Sequence, residues 1–273
     1  MTFPAGFHSK YGQWALVTGA SSGIGQSFAR LLAKEGFCLI LVARRADRLV
    51  ALQTELLREH GAKSELVIED LSDPSAIERV VAVAEKFDIG LVVSNAGFGL
   101  KGEFTSHSAA QLDAMLNVNA RAPLQLVHAL LPKLRARNTS GIIITGSQEG
   151  ESPFPWSSAY AATKAFVHGF GLSLYGELQG TGVDVLVLAP GSTDTESPIS
   201  QGFNRDDLLG LMSPDEVARQ ALASLGSKPL HIPAWYNKLM VGMMRVLPRR
   251  WAIALAGKSM ATFLAKSGHP VKN

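Results

Sequence analysis

Cysteine is almost absent: Cys38 is the only one in 273 residues, so no intramolecular disulfide can form. It lies in the apolar run "FCLILVA", where its default role is to fill core volume. A chain without disulfides points to a reducing, cytoplasmic setting. The first residues, "MTFPAGFHSKYGQ", hold no apolar run resembling a signal-peptide core. No stretch approaches the ~18 uninterrupted apolar residues that a membrane span needs. Acids are missing from the final stretch: Trp235 to Asn273 carries seven Lys/Arg and no Asp/Glu. Against a chain total of +3, these seven cations leave the preceding part at −4. The basic character belongs to the tail and does not imply a nucleic-acid partner. The histidines, including His107, His128 and His168, show no metal-ligand spacing and read as surface or ordinary helix residues, so no metal is expected. Internal repeats and low-complexity segments are absent as well.

What is present is a soluble, core-forming composition, 47% hydrophobic and 18% charged. Short apolar, β-branched runs alternate with longer segments of helical period. Residues 14–18, 38–43, 64–70, 89–95, 141–147, 183–190 and 229–233 read as strands. Helices are expected over "GQSFARLLAKEG", from Asp47 to His60, and from Asp73-Pro74, with Pro74 in the first turn. Others are expected from Ser108 to Arg137 with a break near Asn119, from Ser157 to Gln179, and after Ser213, where Ser213 and Glu216 fit a capping box. The first strands are apolar at consecutive positions, as expected when helices cover both faces. The pattern predicts an α/β Rossmann-type doubly wound parallel sheet of about seven strands, with helices on both faces. A short helical C-terminal extension follows. We divide the chain into a catalytic and cofactor-binding unit, 1–233, and the extension, 234–273, packed on it.

Ligands of such sheets sit beyond the carboxyl ends of the strands. The first of these ends opens into "TGASSGIG", where Gly19, Gly23 and Gly25 let the backbone turn tightly and approach a pyrophosphate at a helix N-terminus. The second ends in "VARRADRL": Arg44 and Arg45 stand where an NAD enzyme often has an acid, and guanidinium donors suit a 2′-phosphate. That favours NADP. Asp70, ending the third strand, either accepts from the adenine amino group or starts a turn. In "SNAG", Asn95 can bridge backbone or ribose and Gly97 allows close approach.

Thr18-Gly19-x3-Gly23-x-Gly25, Asn95-Ala96-Gly97, Asn119, Ser147, Tyr160-x3-Lys164 and Pro190-Gly191 stand in the order and spacing of the short-chain dehydrogenase/reductase family, which the chain resembles from about residue 12 to 233. It departs from the pattern at Ser94-Asn95, where Asn-Asn is commoner, and in the tail. The resemblance implies an NADP(H)-dependent oxidoreductase that interconverts a carbonyl and a secondary alcohol by hydride transfer. Tyr160 would be the general acid. Lys164, one turn along the same helix face, would favour the phenolate and bind the nicotinamide ribose. Ser147 would hold the substrate oxygen, and Asn119, selected over Asn117 by the family motif, would support a water linking Lys164 to solvent. The cofactor would contact Gly19, Ser21, Ser22, Gly23, Ile24 and Gly25, then Arg44, Arg45, Asp70 and Leu71. Further contacts would come from Asn95, Ala96, Gly97, Tyr160, Lys164, Pro190, Gly191, Thr193 and Thr195.

Between Ser147 and Tyr160, the loop "QEGESPFPWSS" would line the substrate pocket through Gln148, Phe154 and Trp156, joined by Phe98 and Leu100. Glu149 and Glu151 read as solvated. The loop at about 192–212 would be a lid. An uncharged, partly apolar carbonyl compound fits best. The tail, cut by Arg245, Pro248-Arg249-Arg250 and Lys258, reads as two short helices that cover the pocket, form a subunit interface in a homodimer or homotetramer, or touch a membrane surface. Packing on its own chain ranks first. The competing reading is a catalytically idle NADP-binding protein whose tail recruits a partner or membrane.

Overall fold

The computed structural model describes residues 6–196 and 210–266. Strands form at Trp14–Thr18 (β1), Cys38–Ala43 (β2), Ser64–Ile68 (β3), Ile89–Ser94 (β4), Ser140–Thr145 (β5), Val183–Leu188 (β6) and Leu230–His231 (β7). They build one seven-stranded sheet in the order β3-β2-β1-β4-β5-β6-β7, every pair parallel. The described helices are Phe7–Tyr11 (α1), Gly23–Lys34 (α2), Ala46–His60 (α3), Ala76–Ala84 (α4), Ala109–Leu116 (α5), Ala122–Arg135 (α6), Ser158–Glu177 (α7), Pro214–Ser224 (α8), Trp235–Val246 (α9) and Arg249–Lys266 (α10).

Consecutive apolar strand residues divide between two layers. Ala15, Val17, Leu39, Leu41 and Ile143 meet Phe28, Leu32, Leu49, Leu52 and Val217 on one face. Leu16, Ile40, Val42, Ile142 and Ile144 meet Val80, Leu126, Leu130, Val167 and Leu174 on the other. Each fully buried Leu or Ile contributes roughly 1.5–3 kcal/mol, so the sheet core is the main source of stability. The strand order reverses between β1 and β4, and there the carboxyl ends open a crevice.

Four local expectations change. Pro74 lies outside α4, because Asp73 and Ser75 form a turn in which Asp73 Oδ1 accepts the Ser75 N–H at 3.0 Å. The tract near Asn119 is not broken: Asn117–Arg121 is a single π turn that widens the helix between α5 and α6. Ser213 accepts the Glu216 N–H at 3.1 Å, but the Glu216 carboxylate is held by Arg219 and Gln220. Only half of that capping box forms. The complete one is at Ser108 and Gln111. The unexpected α1 buries Phe7 and Tyr11, and the Tyr11 hydroxyl donates to Asp184 Oδ2 at 2.7 Å, tying this helix to β6.

The tail forms two helices. On α10, Met260 and Leu264 pack with Phe154, Trp156 and Phe263, while Val241 of α9 is buried. Trp235, Leu239, Val246 and Trp251 are exposed. No helix among the described residues is long and apolar enough to cross a membrane. Of the expected lid, 197–209 lies outside the described residues.

Candidate active site

The first turn begins with Gly19 at φ 70°, a left-handed conformation that favours glycine. A β-carbon there would fall 2.9 Å from Ala96 Cα, so the turn lies directly against the end of β4. Gly25 serves packing: its β-carbon would stand 2.2 Å from the Gly19 carbonyl oxygen. It lies off the cavity walls, whereas Gly19, Ser21, Ser22, Gly23 and Ile24 are on them. Asn95 buckles three strand ends together. Its N–H donates to Thr18 Oγ1 at 2.9 Å, its Nδ2 to the Thr18 carbonyl at 3.3 Å, and its Oδ1 accepts from Thr145 Oγ1 at 3.2 Å. No side chain caps α2 and no acid lies in its first turn. Its leading N–H groups, with the positive end of the helix dipole, are therefore available to an anion.

Beside this turn, Arg45 donates from Nη2 to Ser22 Oγ at 2.7 Å and Ser21 Oγ at 3.1 Å, and from Nη1 to Glu196 Oε2 at 2.9 Å. Arg48 also pairs with Glu196. Arg44 is far more open, its side chain 72% exposed and 3.7 Å from Asp70. Asp70 accepts the Ser72 N–H at 3.0 Å, as a turn-forming residue does, and still lines the cavity beside Leu71. Burial pushes the Asp70 carboxyl up, but the Ser72 bonds and Arg44 outweigh it and hold the group below its ordinary range.

β5 delivers Ser147, which is buried, to the same cavity that α7 reaches with Tyr160 and Lys164. Lys164 is 3% exposed; its Nζ donates to the Thr145 carbonyl at 2.9 Å and stands 5.7 Å from the centre of the Tyr160 ring. Burial, and then the charge of Glu149, push the Tyr160 phenol upward, while a hydrogen bond with Ser147 pulls it down. Burial lowers Lys164 to about 8, against the opposing pull of Glu149. In this state Tyr160 keeps its proton, which is the form of an acid. Asn119 is absent from the cavity walls. From the π turn it accepts the Phe98 N–H at 3.0 Å and donates to the Phe98 carbonyl at 2.8 Å and to Thr163 Oγ1 at 3.0 Å, linking the strand-end loop to α7. Gly97 lies between: a β-carbon there would be 3.1 Å from Asn119 Oδ1 and 3.2 Å from Lys164 Nζ.

One continuous cavity of about 1400 Å3 joins these parts. Ala96, Pro190, Gly191, Thr193 and Thr195 line it, as do Phe98, Gln148 and Phe154. Trp156 does not. It packs against Met260 and Leu264 instead, which supports the loop from behind. Residues missed in the sequence complete the far wall: Met240, Val241 and Met244 of α9, and Met260 and Phe263 of α10. Their spacing of three or four along each helix was a legible signal of a shared face.

The acidic loop also departs from expectation. Glu149 and Glu151 are not solvated, their side chains being 13% and 4% exposed. Glu149 accepts from Lys101 Nζ and Ser157 Oγ, each at 2.6 Å. Glu151 bonds His168 Nδ1 at 2.5 Å and Arg245. His168, expected at the surface or in an ordinary helix position, is buried. A buried carboxylate is costly unless paired, and each of these has found partners. No group of three or more His, Cys, Asp or Glu placed to hold a metal occurs among the described residues.

Comparison with known proteins agrees with this architecture. The family model for short chain dehydrogenase matches residues 13–205. The 7beta-hydroxysteroid dehydrogenase of Clostridium sardiniense is 30% identical over 253 residues, covering 92% of this chain and 97% of that protein. A structure solved for the stereoselectivity of 7beta-hydroxysteroid dehydrogenase superposes with a TM-score of 0.86 at 29% identity, over 92% of this chain and 98% of the other. A short-chain dehydrogenase from Sphingobium yanoikuyae, solved in complex with NADPH, gives 0.77 at 31% identity, over 86% and 96%. Shared sequence and shared fold run through both the strand ends and the helices between them, and the chain belongs to the short-chain dehydrogenase family of oxidoreductases.

Proposed function

We propose that the protein reduces a bulky, largely apolar ketone with NADPH, or oxidises the matching secondary alcohol, with Tyr160 as general acid and base. The observation that carries this reading is the convergence of Ser147, Tyr160 and Lys164 on the cavity that also contains the glycine turn. A bound nicotinamide supplies the hydride to the carbonyl carbon. Tyr160 gives its phenolic proton to the carbonyl oxygen, which the Ser147 hydroxyl holds in place. The Lys164 ammonium then lies close enough to stabilise the phenolate, and every unit by which it lowers that pKa is worth about 1.4 kcal/mol. Asn119 acts one layer back, holding Phe98 and α7 in register. Residues 1–233 would hold the cofactor and the catalytic set, and 234–273 would close the substrate side.

The dinucleotide fits the cradle of Gly19 and Gly23, the uncapped N-terminus of α2, and a β2 end that offers Arg44 and Arg45 and no acid. Similarity to an enzyme solved with NADPH supports the phosphorylated form. The cavity exceeds the ~300–1,000 Å3 of a single small-ligand pocket, leaving room for a second sizeable molecule. Its methionine- and phenylalanine-lined wall, with the 7beta-hydroxysteroid dehydrogenase relatives, supports a fused-ring or similarly bulky ketone. Gln148 Oε1 is buried with no hydrogen-bond partner among the described residues, which suits contact with a polar group of that substrate.

NADPH oxidation over keto-steroids, bulky-bulky ketones and small ketones tests the reading. Bulky ketones should be consumed, and Tyr160→Phe should abolish turnover while NADPH still quenches protein fluorescence with wild-type affinity. Full turnover in Tyr160→Phe would reject the mechanism, and activity confined to small polar ketones would reject the substrate class.

A further inference from the structure

Behind Ser147 lies a chain of polar contacts, buried as far as Glu151 and ending at the half-exposed Arg245, that the hydride-transfer chemistry does not itself require. The Ser147 N–H, two residues past the end of β5, donates to His168 Nε2 at 3.3 Å. A buried backbone donor must find an acceptor, and here it is an imidazole lone pair. Because Nε2 accepts, the ring proton of the neutral His168 is on Nδ1, which faces Glu151 Oε1 at 2.5 Å. The second oxygen of Glu151 binds Arg245, which belongs to α9. His168 first, and then Arg245, hold the Glu151 carboxyl below its ordinary range despite its burial. There is no slack at the Ser147 end: a β-carbon on Gly146 would lie 2.1 Å from His168 Nε2.

We infer that His168 is a positioning residue for Ser147, and that Glu151 and Arg245 make its hold on the serine depend on the seating of α9. The helix that carries Arg245 also supplies Val241 and Met244 to the substrate wall. A displaced α9 would lose Arg245 from Glu151, loosen His168, and release the Ser147 N–H. The wall that receives the substrate and the hydroxyl that holds its carbonyl are thus joined by three side chains. This rests on the reading of Ser147 as the residue that holds the substrate oxygen.

The test compares His168→Leu with His168→Gln, whose amide can present an acceptor near the Nε2 position, and adds a double-mutant cycle of Glu151→Gln with Arg245→Ala. In His168→Leu, kcat for ketone reduction should fall, by up to about 100-fold for a displaced catalytic group, with NADPH affinity unchanged. His168→Gln should recover most of it. Glu151→Gln and Arg245→Ala should each lower kcat and combine non-additively. Equal losses in the Leu and Gln variants, a fall confined to NADPH affinity, or additive effects in the cycle would each overturn the relay. Circular dichroism identifies variants that do not fold; should His168→Leu be one, the cycle decides alone. A wild-type protein without ketone reductase activity would defeat the functional reading instead. The relay is then read directly from the imidazole 15N shifts of His168 at neutral pH. Protonation at Nδ1, perturbed by Arg245→Ala, is expected; protonation at Nε2 overturns it.

Discussion

Lys101 Nζ lies 2.6 Å from Glu149 Oε1, both side chains are 13% exposed, and the same ammonium stands 5.3 Å from the centre of the Tyr160 ring. The pair places opposite charges beside the phenol. Glu149 raises both Tyr160 and Lys164. Glu149→Gln should therefore shift the pH dependence of alcohol oxidation toward lower pH, because less alkali is needed to form the phenolate. The measurement is kcat/KM against pH for wild type and variant, and an unmoved profile would contradict the assignment.

Lys164 gives stability its own pH signature. Its folded pKa, about 8, lies below the ordinary 10.5, so between these values the unfolded chain binds more protons than the folded one. Stability then rises with pH across that window. Thermal unfolding should show wild type gaining on Lys164→Met from pH 8 toward 10.5, with a constant difference below pH 7.

The arginines make separate predictions for cofactor choice. Arg44→Ala should weaken NADPH by on the order of tenfold to a hundredfold, the worth of a charge-assisted hydrogen bond of about 1.5–3 kcal/mol, and leave NADH nearly unchanged. Glu196, which now occupies Arg45 and Arg48, competes with any 2′-phosphate. Glu196→Gln should tighten NADPH binding. Titration of both dinucleotides against each variant checks the two claims, and equal effects on NADPH and NADH would reject them.

Gly25→Ala would drive a β-carbon to 2.2 Å from the Gly19 carbonyl oxygen, a backbone atom that cannot swing aside. Overpacking of this kind costs about 1–3 kcal/mol, enough to lower Tm by several degrees in a chain of this size. The turn must also shift, so NADPH affinity should fall with it.

The parts of the site that were legible in the sequence are those set by local spacing. The glycine turn, Tyr160 and Lys164 depend on short stretches of strand and helix, and β5 carries Ser147 to them by the ordinary logic of a parallel sheet. Glu149, Glu151 and His168 were misread because their burial is imposed from far along the chain. An acid in a loop is solvated by default, and Glu151 loses its solvent to α7 and to Arg245, 94 residues away. Trp156 was misplaced for a related reason: its apolar surface is claimed by α10 before it can reach the cavity. The π turn at Asn119 could not be anticipated, since its sequence differs little from an ordinary helical one.

The helices that complete the substrate wall are the last described elements of the chain, and this has a consequence for how the protein is made. During synthesis all seven strands and the glycine turn are added to the chain before Met240 or Met260. The nucleotide half can therefore begin to assemble while the other half of the cavity is still an open, greasy trough. The far wall of the cavity is thus laid down last, over a framework made before it. On the proposed function, substitutions at Met240, Met244, Met260 and Phe263 should change which ketones are accepted with little disturbance to the sheet beneath.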